Sequence, residues 1–407
     1  MVIAVKYPGI LLILPAILAV ALVGAAEAGE ENGLPGVLWE RLISPDDAFL
    51  PSLRFRLEYD DNINLTGRSE QRGSWKNVLE PGLKFNFPGE QTGLEFQYFP
   101  TFFLYWDRDD RYDINHTAFI QVEHSFDSRN KIRIANLFFR KEDPRDLTRV
   151  IVPGQRLADY YYNNLILKYR NQPNRRITWG VNYDNERYSY DAEVMKRSLN
   201  MTANDVGGVF QFQCSRRFKL KGVYQFRLVD YDQSDGDYRR HLFLGGFNWL
   251  ANRRLTFDVL AGYTNQRLDS GVKLAGPYIE TMIEAIVGPD LFIEVSYTHS
   301  IEDLPESYQP RRLGHTLEIS AAYDLLPRLR LGSKYLGRLT YYPYRRSTED
   351  DRKTGSELFW QSELYSEYCL NPATSLKLGW RRTENSSNQP GSTFFRDQVY
   401  LAVTADF

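Results

Sequence analysis

The stretch that decides the fold is residues 394–407, FFRDQVYLAVTADF. From Val399 onward, apolar and polar residues alternate strictly. The apolar positions are Val399, Leu401, Val403, Ala405 and Phe407. A period of two residues predicts a β-strand with one apolar and one polar face. A strand of this kind that ends on an aromatic residue is expected where a chain closes a membrane barrel, and the rest of the chain should then repeat the alternation.

The rest of the chain does repeat the alternation. Segments 53–60, 94–98, 218–228 and 329–335 each place apolar residues at every second position. The predicted strands that contain these runs are about 10–14 residues long, which suits tilted transmembrane strands, whose membrane-embedded part is roughly 9–11 residues. In a soluble sandwich, one apolar face per pair of sheets would be enough. Apolar faces on nearly every run therefore favour a barrel with its apolar surface in lipid.

Short links rich in turn-forming residues alternate with longer polar links along the chain. The short links are residues 88–90, 128–130, 172–174, 215–217, 251–253, 288–290, 326–328 and 371–373. They predict eighteen strands, with sixteen as the alternative. Outer-membrane barrels have short periplasmic turns and longer external loops. We therefore predict an all-β fold, a transmembrane antiparallel up-and-down β-barrel over residues 52–407 with periplasmic termini.

The C-terminal alternation ending in Phe407 resembles the signal that the bacterial barrel-assembly machinery reads. The resemblance implies this machinery as a partner and outer-membrane lipid as the surroundings of the strands. The composition agrees: Tyr 27, Phe 24 and Trp 7 accompany a mean hydropathy of −0.46. Many aromatic residues in a hydrophilic chain are expected when apolar residues occupy alternate strand positions and aromatic residues form interfacial girdles.

The N-terminus predicts export. Lys6 precedes an apolar run over residues 10–23, and small residues follow up to Ala28. A run of this length interrupted by Pro15 is too short for a membrane-spanning helix, which needs about 20 residues. Residues 1–28 are therefore predicted to be a cleaved secretory signal peptide. Residues 29–51, punctuated by prolines, are predicted to form an N-terminal periplasmic segment or a short plug.

An eighteen-stranded barrel is too wide to be filled by side chains, so a water-filled lumen is expected. Strand parity predicts which charged residues line it. The basic candidates are Arg54, Arg56, Lys219, Arg227, Arg330, Lys334, Arg338, Lys377 and Arg381. The acidic candidates are Glu280, Glu284, Glu294, Glu318 and Glu363. The interpretation is a basic arc that could hold an anionic or hydroxyl-rich polymer; the alternative is a lumen that is polar only because it is wet.

A hexapeptide in the first strand carries a family resemblance. It consists of Glu58, Tyr59, Asp60, Asp61, Asn62 and Ile63. With the hairpin series, it resembles β-barrel porins found with exopolysaccharide synthesis and secretion systems. The resemblance implies export of a polysaccharide, with periplasmic secretion components as partners. A diffusion porin for small solutes and a closed barrel acting as an anchor or assembly partner are the alternatives. Structurally, the motif also fits a strand entering its first external loop.

The sequence gives little support for nucleic-acid binding, catalysis, metal binding or disulfide formation. Lys plus Arg (50) nearly balances Asp plus Glu (52), which gives no reason to expect a nucleic-acid partner. The five histidines are predicted to be scattered over separate strands, and no hydrolase or phosphate-binding motif is present. The acidic loop at residues 230–237 lacks the glycine at the sixth position and the acid at the twelfth position of a calcium loop. Cys214 and Cys369 are expected to stay unpaired. We predict no enzyme, metal site or cofactor.

Overall fold

The computed structural model describes residues 49–63, 65, 67, 71–106, 112–141, 159–191, 200–232, 236–302, 312–342, 355–387 and 393–406. The predicted signal peptide, residues 29–48 and Phe407 lie outside the described residues. No helix that is long and apolar enough to cross a membrane occurs in the described part of the chain.

The described chain forms eighteen antiparallel strands in one sheet, which confirms eighteen over the alternative of sixteen. The strands are β1 Phe49–Asp60, β2 Ser74–Phe87, β3 Thr92–Tyr105, β4 Tyr112–Ser125, β5 Asn130–Lys141, β6 Tyr160–Asn171, β7 Ile177–Tyr190, β8 Met201–Ser215, β9 Phe218–Tyr231, β10 Tyr238–Asn252, β11 Leu255–Leu268, β12 Lys273–Val287, β13 Leu291–Glu302, β14 Arg312–Leu326, β15 Leu329–Tyr342, β16 Gly355–Asn371, β17 Thr374–Ser387 and β18 Phe394–Asp406. β1 begins at Phe49 rather than at the predicted Ser52.

The sheet closes on itself. Each strand pairs with its neighbours in sequence, and β18 pairs back with β1 from Ser52↔Asp406 to Asp60↔Gln398. An open edge in lipid would leave backbone groups unpaired at a cost of several kcal/mol each, so closure is what makes a membrane-spanning sheet stable.

The predicted short links are present, but the alternation with longer links is broken once, because residues 269–272 between β11 and β12 form a link of only four residues. All eight predicted short links lie between consecutive strands, at what we call the short-turn end of the barrel. Phe49 and Asp406 lie at this same end. In the turn after β4, the carboxylate of Asp127 accepts hydrogen bonds from the backbone N–H groups of Arg129 and Asn130. Hydrogen bonds from Asn130 and Arg129 lower the pKa of the Asp127 carboxyl. The strand ends that the longer links join lie at the opposite end, which we call the long-loop end.

One face of the sheet is apolar and exposed. Its members include Leu53, Phe55, Leu83, Phe102, Ile120, Phe210, Leu220, Phe243, Leu364, Leu378 and Leu401. At its long-loop edge, the rings of Tyr59, Trp75 and Trp106 contact one another in series, with centroids 5.2 Å and 6.2 Å apart. An apolar band bordered by aromatic rings is the outer surface expected of a barrel in lipid.

The polar face is the concave one. Side chains on a concave surface converge, so contacts on that side can skip a strand. Tyr400 of β18 donates a hydrogen bond to Glu363 of β16 across β17. Arg227 of β9 likewise contacts Glu186 of β7 across β8, at 3.0 Å. We refer to this side as the polar face.

Burial on the polar face changes along the barrel. On β1, the side chain of Arg54 near the short-turn end is 53% exposed, whereas that of Asp60 near the long loops is 1% exposed. Two clusters of buried apolar residues also lie towards the long-loop end. One includes Val229 and Leu274, and the other includes Tyr160 and Tyr162. The interior is therefore open at the short-turn end and closely packed towards the long loops.

Candidate channel interior

Strand parity places all fourteen predicted lumen residues on the polar face. The register that aligns the exposed apolar residues puts the following on the opposite side: Arg54, Arg56, Lys219, Arg227, Glu280, Glu284, Glu294, Glu318, Arg330, Lys334, Arg338, Glu363, Lys377 and Arg381. What the sequence did not indicate is how these residues pair with one another.

Buried charges concentrate where the first and last strands meet. We call this group the seam cluster; it comprises Glu58, Asp60, Lys76, Arg396 and Gln398. The Arg396 guanidinium donates from Nε to both Asp60 oxygens, at 3.0 Å and 2.9 Å. Lys76 Nζ lies 2.7 Å from Glu58 Oε1 and 3.8 Å from Asp60 Oδ2. Gln398 donates to both carboxylates. The cluster thus joins β2, β1 and β18 through side chains as well as the backbone.

The remaining polar residues of the hexapeptide extend this junction. The backbone N–H of Asp397 donates to Asp61 Oδ1 at 2.7 Å, and the Asn62 amide donates to the Phe395 carbonyl at 2.8 Å. Tyr59 instead faces outward and contacts Trp75. The motif therefore has a structural role: it fastens the first strand to the last. From the sequence, the motif could be seen but not its partners, which lie more than 330 residues further along the chain.

A second charged group surrounds Tyr400. Glu363 Oε1 lies 3.2 Å from Lys377 Nζ, and Glu363 Oε2 lies 3.0 Å from Arg381 Nη2. The Tyr400 hydroxyl donates to the same carboxylate. The ammonium of Lys377 also lies 3.7 Å from the ring centroid of Tyr365, a favourable cation–π geometry. One glutamate is therefore shared by two members of the predicted basic arc, and the three charges leave one net positive charge.

Three further basic candidates, Arg54, Arg56 and Arg330, also have a carboxylate partner. Arg330 Nε contacts Asp324 at 2.7 Å, and Arg56 Nε contacts Glu58 at 3.2 Å. The interior is thus a set of local ion pairs rather than an uninterrupted positive stripe. Lys334 lies directly opposite the already shared Glu363.

The acidic candidates form a neighbouring wall. Glu284 of β12 lies directly opposite Glu294 of β13, and Glu280 and Glu318 lie on the same face of β12 and β14. The Tyr278 hydroxyl donates to Glu280 at 3.0 Å. Four of the five acidic candidates therefore lie together on β12, β13 and β14, whereas Glu363 lies among the basic residues.

The expectation for the histidines was wrong in one respect. The rings of His299 and His315 lie 4.5 Å apart on adjacent strands, because cross-strand register brings together residues that the sequence separates. Both lie on the apolar face. Tyrosine hydroxyls of the same face bond His116, His241 and His315 at 2.9–3.0 Å, which satisfies these imidazoles at an apolar surface. Among the described residues, no group of three His, Cys, Asp or Glu could hold a metal ion.

Comparison with known proteins agrees with this geometry. Residues 221–407, from β9 to the C-terminus, match the family model described as "Putative beta-barrel porin 2". The fold is that of a porin. A BenF-like porin from Pseudomonas fluorescens Pf-5 is 12% identical with a TM-score of 0.51, covering 89% of this chain and 99% of the other. Pseudomonas aeruginosa OccK2 (OpdF) in complex with glucuronate is 14% identical with a TM-score of 0.50, covering 88% and 98%.

At these identities, the two porin structures establish the fold alone. No curated protein matches the chain. The hexapeptide lies outside the segment that matches the porin family, so the exopolysaccharide association inferred from it stays a prediction.

Proposed function

We propose that the protein is an outer-membrane channel through which small solutes diffuse. The observation that carries this proposal is the closed eighteen-stranded barrel with an apolar outer face and a charged inner face. A barrel of this size encloses an aqueous channel unless something fills it. The porin family match to the second half of the barrel supports the same function.

The burial gradient favours small solutes over a polymer. Inner-face residues towards the long loops are almost fully buried, among them Asp60, Asp205 and Tyr162. A long polysaccharide would need a wide opening along the whole barrel. A porin of this fold has been crystallised with glucuronate, a single sugar acid, which is the size of solute we propose. Polysaccharide export remains the prediction made from the hexapeptide.

The same proposal gives the orientation of the barrel in the outer membrane. The short-turn end, with Phe49 and Asp406, would face the periplasm, and the long loops would face outward. Residues 1–28 would direct export. The pattern at Val399, Leu401, Val403, Ala405 and Phe407 would direct assembly.

Reconstitution tests the function directly. Purified protein in planar bilayers is expected to give stepwise conductance, and proteoliposomes are expected to swell in monosaccharides faster than in oligosaccharides. Absence of conductance and swelling would support the closed barrel instead. Equal swelling rates in short and long saccharides would support the polymer-export prediction.

Charge reversal tests the predicted basic arc. Arg330→Glu combined with Lys334→Glu is expected to shift ion selectivity towards cations. The two substitutions replace two positive charges on the channel wall by two negative ones, a change of four charge units. The measurement is the reversal potential in a KCl gradient. Arg253→Glu with Arg254→Glu makes the same charge change in a turn outside the channel and is the matched control. An unchanged reversal potential in the first variant would show that the basic arc does not determine ion selectivity.

A further inference from the structure

Four basic residues form a block on the polar face beside the short-turn end. They are Lys131 and Arg133 of β5, and Lys168 and Arg170 of β6. Lys131 lies directly opposite Arg170, and Arg133 lies directly opposite Lys168. All four are exposed. Directly opposed residues are roughly 5 Å apart, and alternate residues along a strand are roughly 7 Å apart, so the four positions form a compact grid.

The charge of this basic block is poorly neutralised. Lys131 Nζ contacts Glu123 at 3.2 Å, with both side chains nearly half exposed. Glu95, the acid nearest on β3, is held by Lys84 at 3.1 Å. Within the part of the chain that the structure describes, no other ion pair of the block is observed, and the β7 residues in the same rows are uncharged. The block therefore carries an excess of positive charge.

Another pair of opposed cations on the polar face shows the contrast. Arg227 lies directly opposite Arg240, but Arg227 contacts Asp205 at 2.8 Å and Glu186 at 3.0 Å. Like charges directly opposite each other destabilise a sheet, and there two carboxylates offset the repulsion. The basic block contains two such pairs of opposed cations, but one exposed glutamate is the carboxylate that contacts it. An anion from solution would supply the missing charge.

We propose that the basic block binds small solutes carrying two or more carboxylate or phosphate groups. This proposal rests on the proposed channel function and specifies its solute. Arginine binds carboxylates and phosphates through two parallel hydrogen bonds, and the two lysines add charge without a fixed geometry. The grid spacing lets neighbouring anionic groups of one solute contact different pairs. The site lies at the open mouth, where a solute is solvated and accessible.

Current block by polyanions tests this proposal. Full-length protein in planar bilayers is titrated with citrate or pyrophosphate from each side, with acetate as the monovalent comparison. Arg133→Gln with Lys168→Gln is the test variant. Arg129→Gln with Arg176→Gln removes the same charge from the turns at the same end and is the matched control. Citrate and pyrophosphate are expected to block the wild-type current more strongly from the short-turn side, and acetate is not.

The half-blocking concentration is expected to be about tenfold higher for the test variant. The reason is that the variant loses two partly exposed ionic contacts with the anion. The control is expected to stay within about twofold. Equal block of all three proteins would overturn the site. If the wild type conducts no current, the proposed channel function is wrong. Calorimetric titration of citrate into the detergent-solubilised protein then tests separately whether the basic block binds the anion. Binding weakened about tenfold by the test variant alone would support it; absence of binding would overturn it.

Discussion

Asp60→Ala is expected to destabilise the folded barrel by about 3–5 kcal/mol, the loss typical when one partner of a buried ion pair is removed. Asp60 is 1% exposed and accepts several hydrogen bonds from Arg396. Without it, a guanidinium stays buried at the junction of the first and last strands. The measurement is the temperature at which the purified protein loses its folded, faster migration on unboiled gels.

Two further variants separate a seam effect from a general loss of charge. Asp324→Ala removes a carboxylate that also contacts an arginine, Arg330 at 2.7 Å, but this pair is partly exposed. Its expected cost is below about 1 kcal/mol. Asp60→Ala combined with Arg396→Gln should recover part of the lost stability, since the buried guanidinium that lost the Asp60 carboxylate is removed as well. Similar unfolding temperatures for the Asp60 and Asp324 variants would contradict a special role of the seam cluster.

Glu363→Ala is expected to lower stability by about 2 kcal/mol and to increase anion selectivity. Glu363 holds Lys377 at 3.2 Å and Arg381 at 3.0 Å, and it accepts a hydrogen bond from Tyr400. The two cations are roughly a quarter exposed, so the expected loss is smaller than for a fully buried pair. Released from the carboxylate, both cations would act on passing ions. Unfolding temperature and reversal potential measure the two effects.

Glu367→Ala provides the matched control for this variant. Glu367 lies on the same face of β16, four residues closer to the short-turn end. It loses the same side chain and charge but has no close ion pair among the described residues. We expect it to change selectivity less and stability by under about 0.5 kcal/mol. Equal effects of the two glutamate variants would show that total charge, and not the group around Tyr400, governs the channel.

The strand architecture could be read from the sequence because its causes are local. Alternation fixes which side chains share a face, and turn residues fix where strands end. The turns at residues 288–290 and 371–373 illustrate this, because both were found by residue type and both separate strands in the structure. The same parity placed Lys334 and Glu363 on one face.

The interior contacts could not be read because their causes are distant in sequence. Asp60 and Arg396 pair only through the register in which β1 meets β18, and no local signal encodes that register. His299 and His315 meet for the same reason. Burial of residues such as Tyr162 depends on how the interior is filled towards the long loops, which alternation within a strand does not report.

The burial gradient along the polar face has an electrical consequence. A conduit whose wall is exposed and charged at one mouth and closely packed at the other presents unequal resistance to ions entering from its two sides. Currents at equal positive and negative voltages should therefore differ in size once barrels are inserted in a single direction. The sign of this rectification would report, from an electrode alone, which end of the barrel faces which compartment.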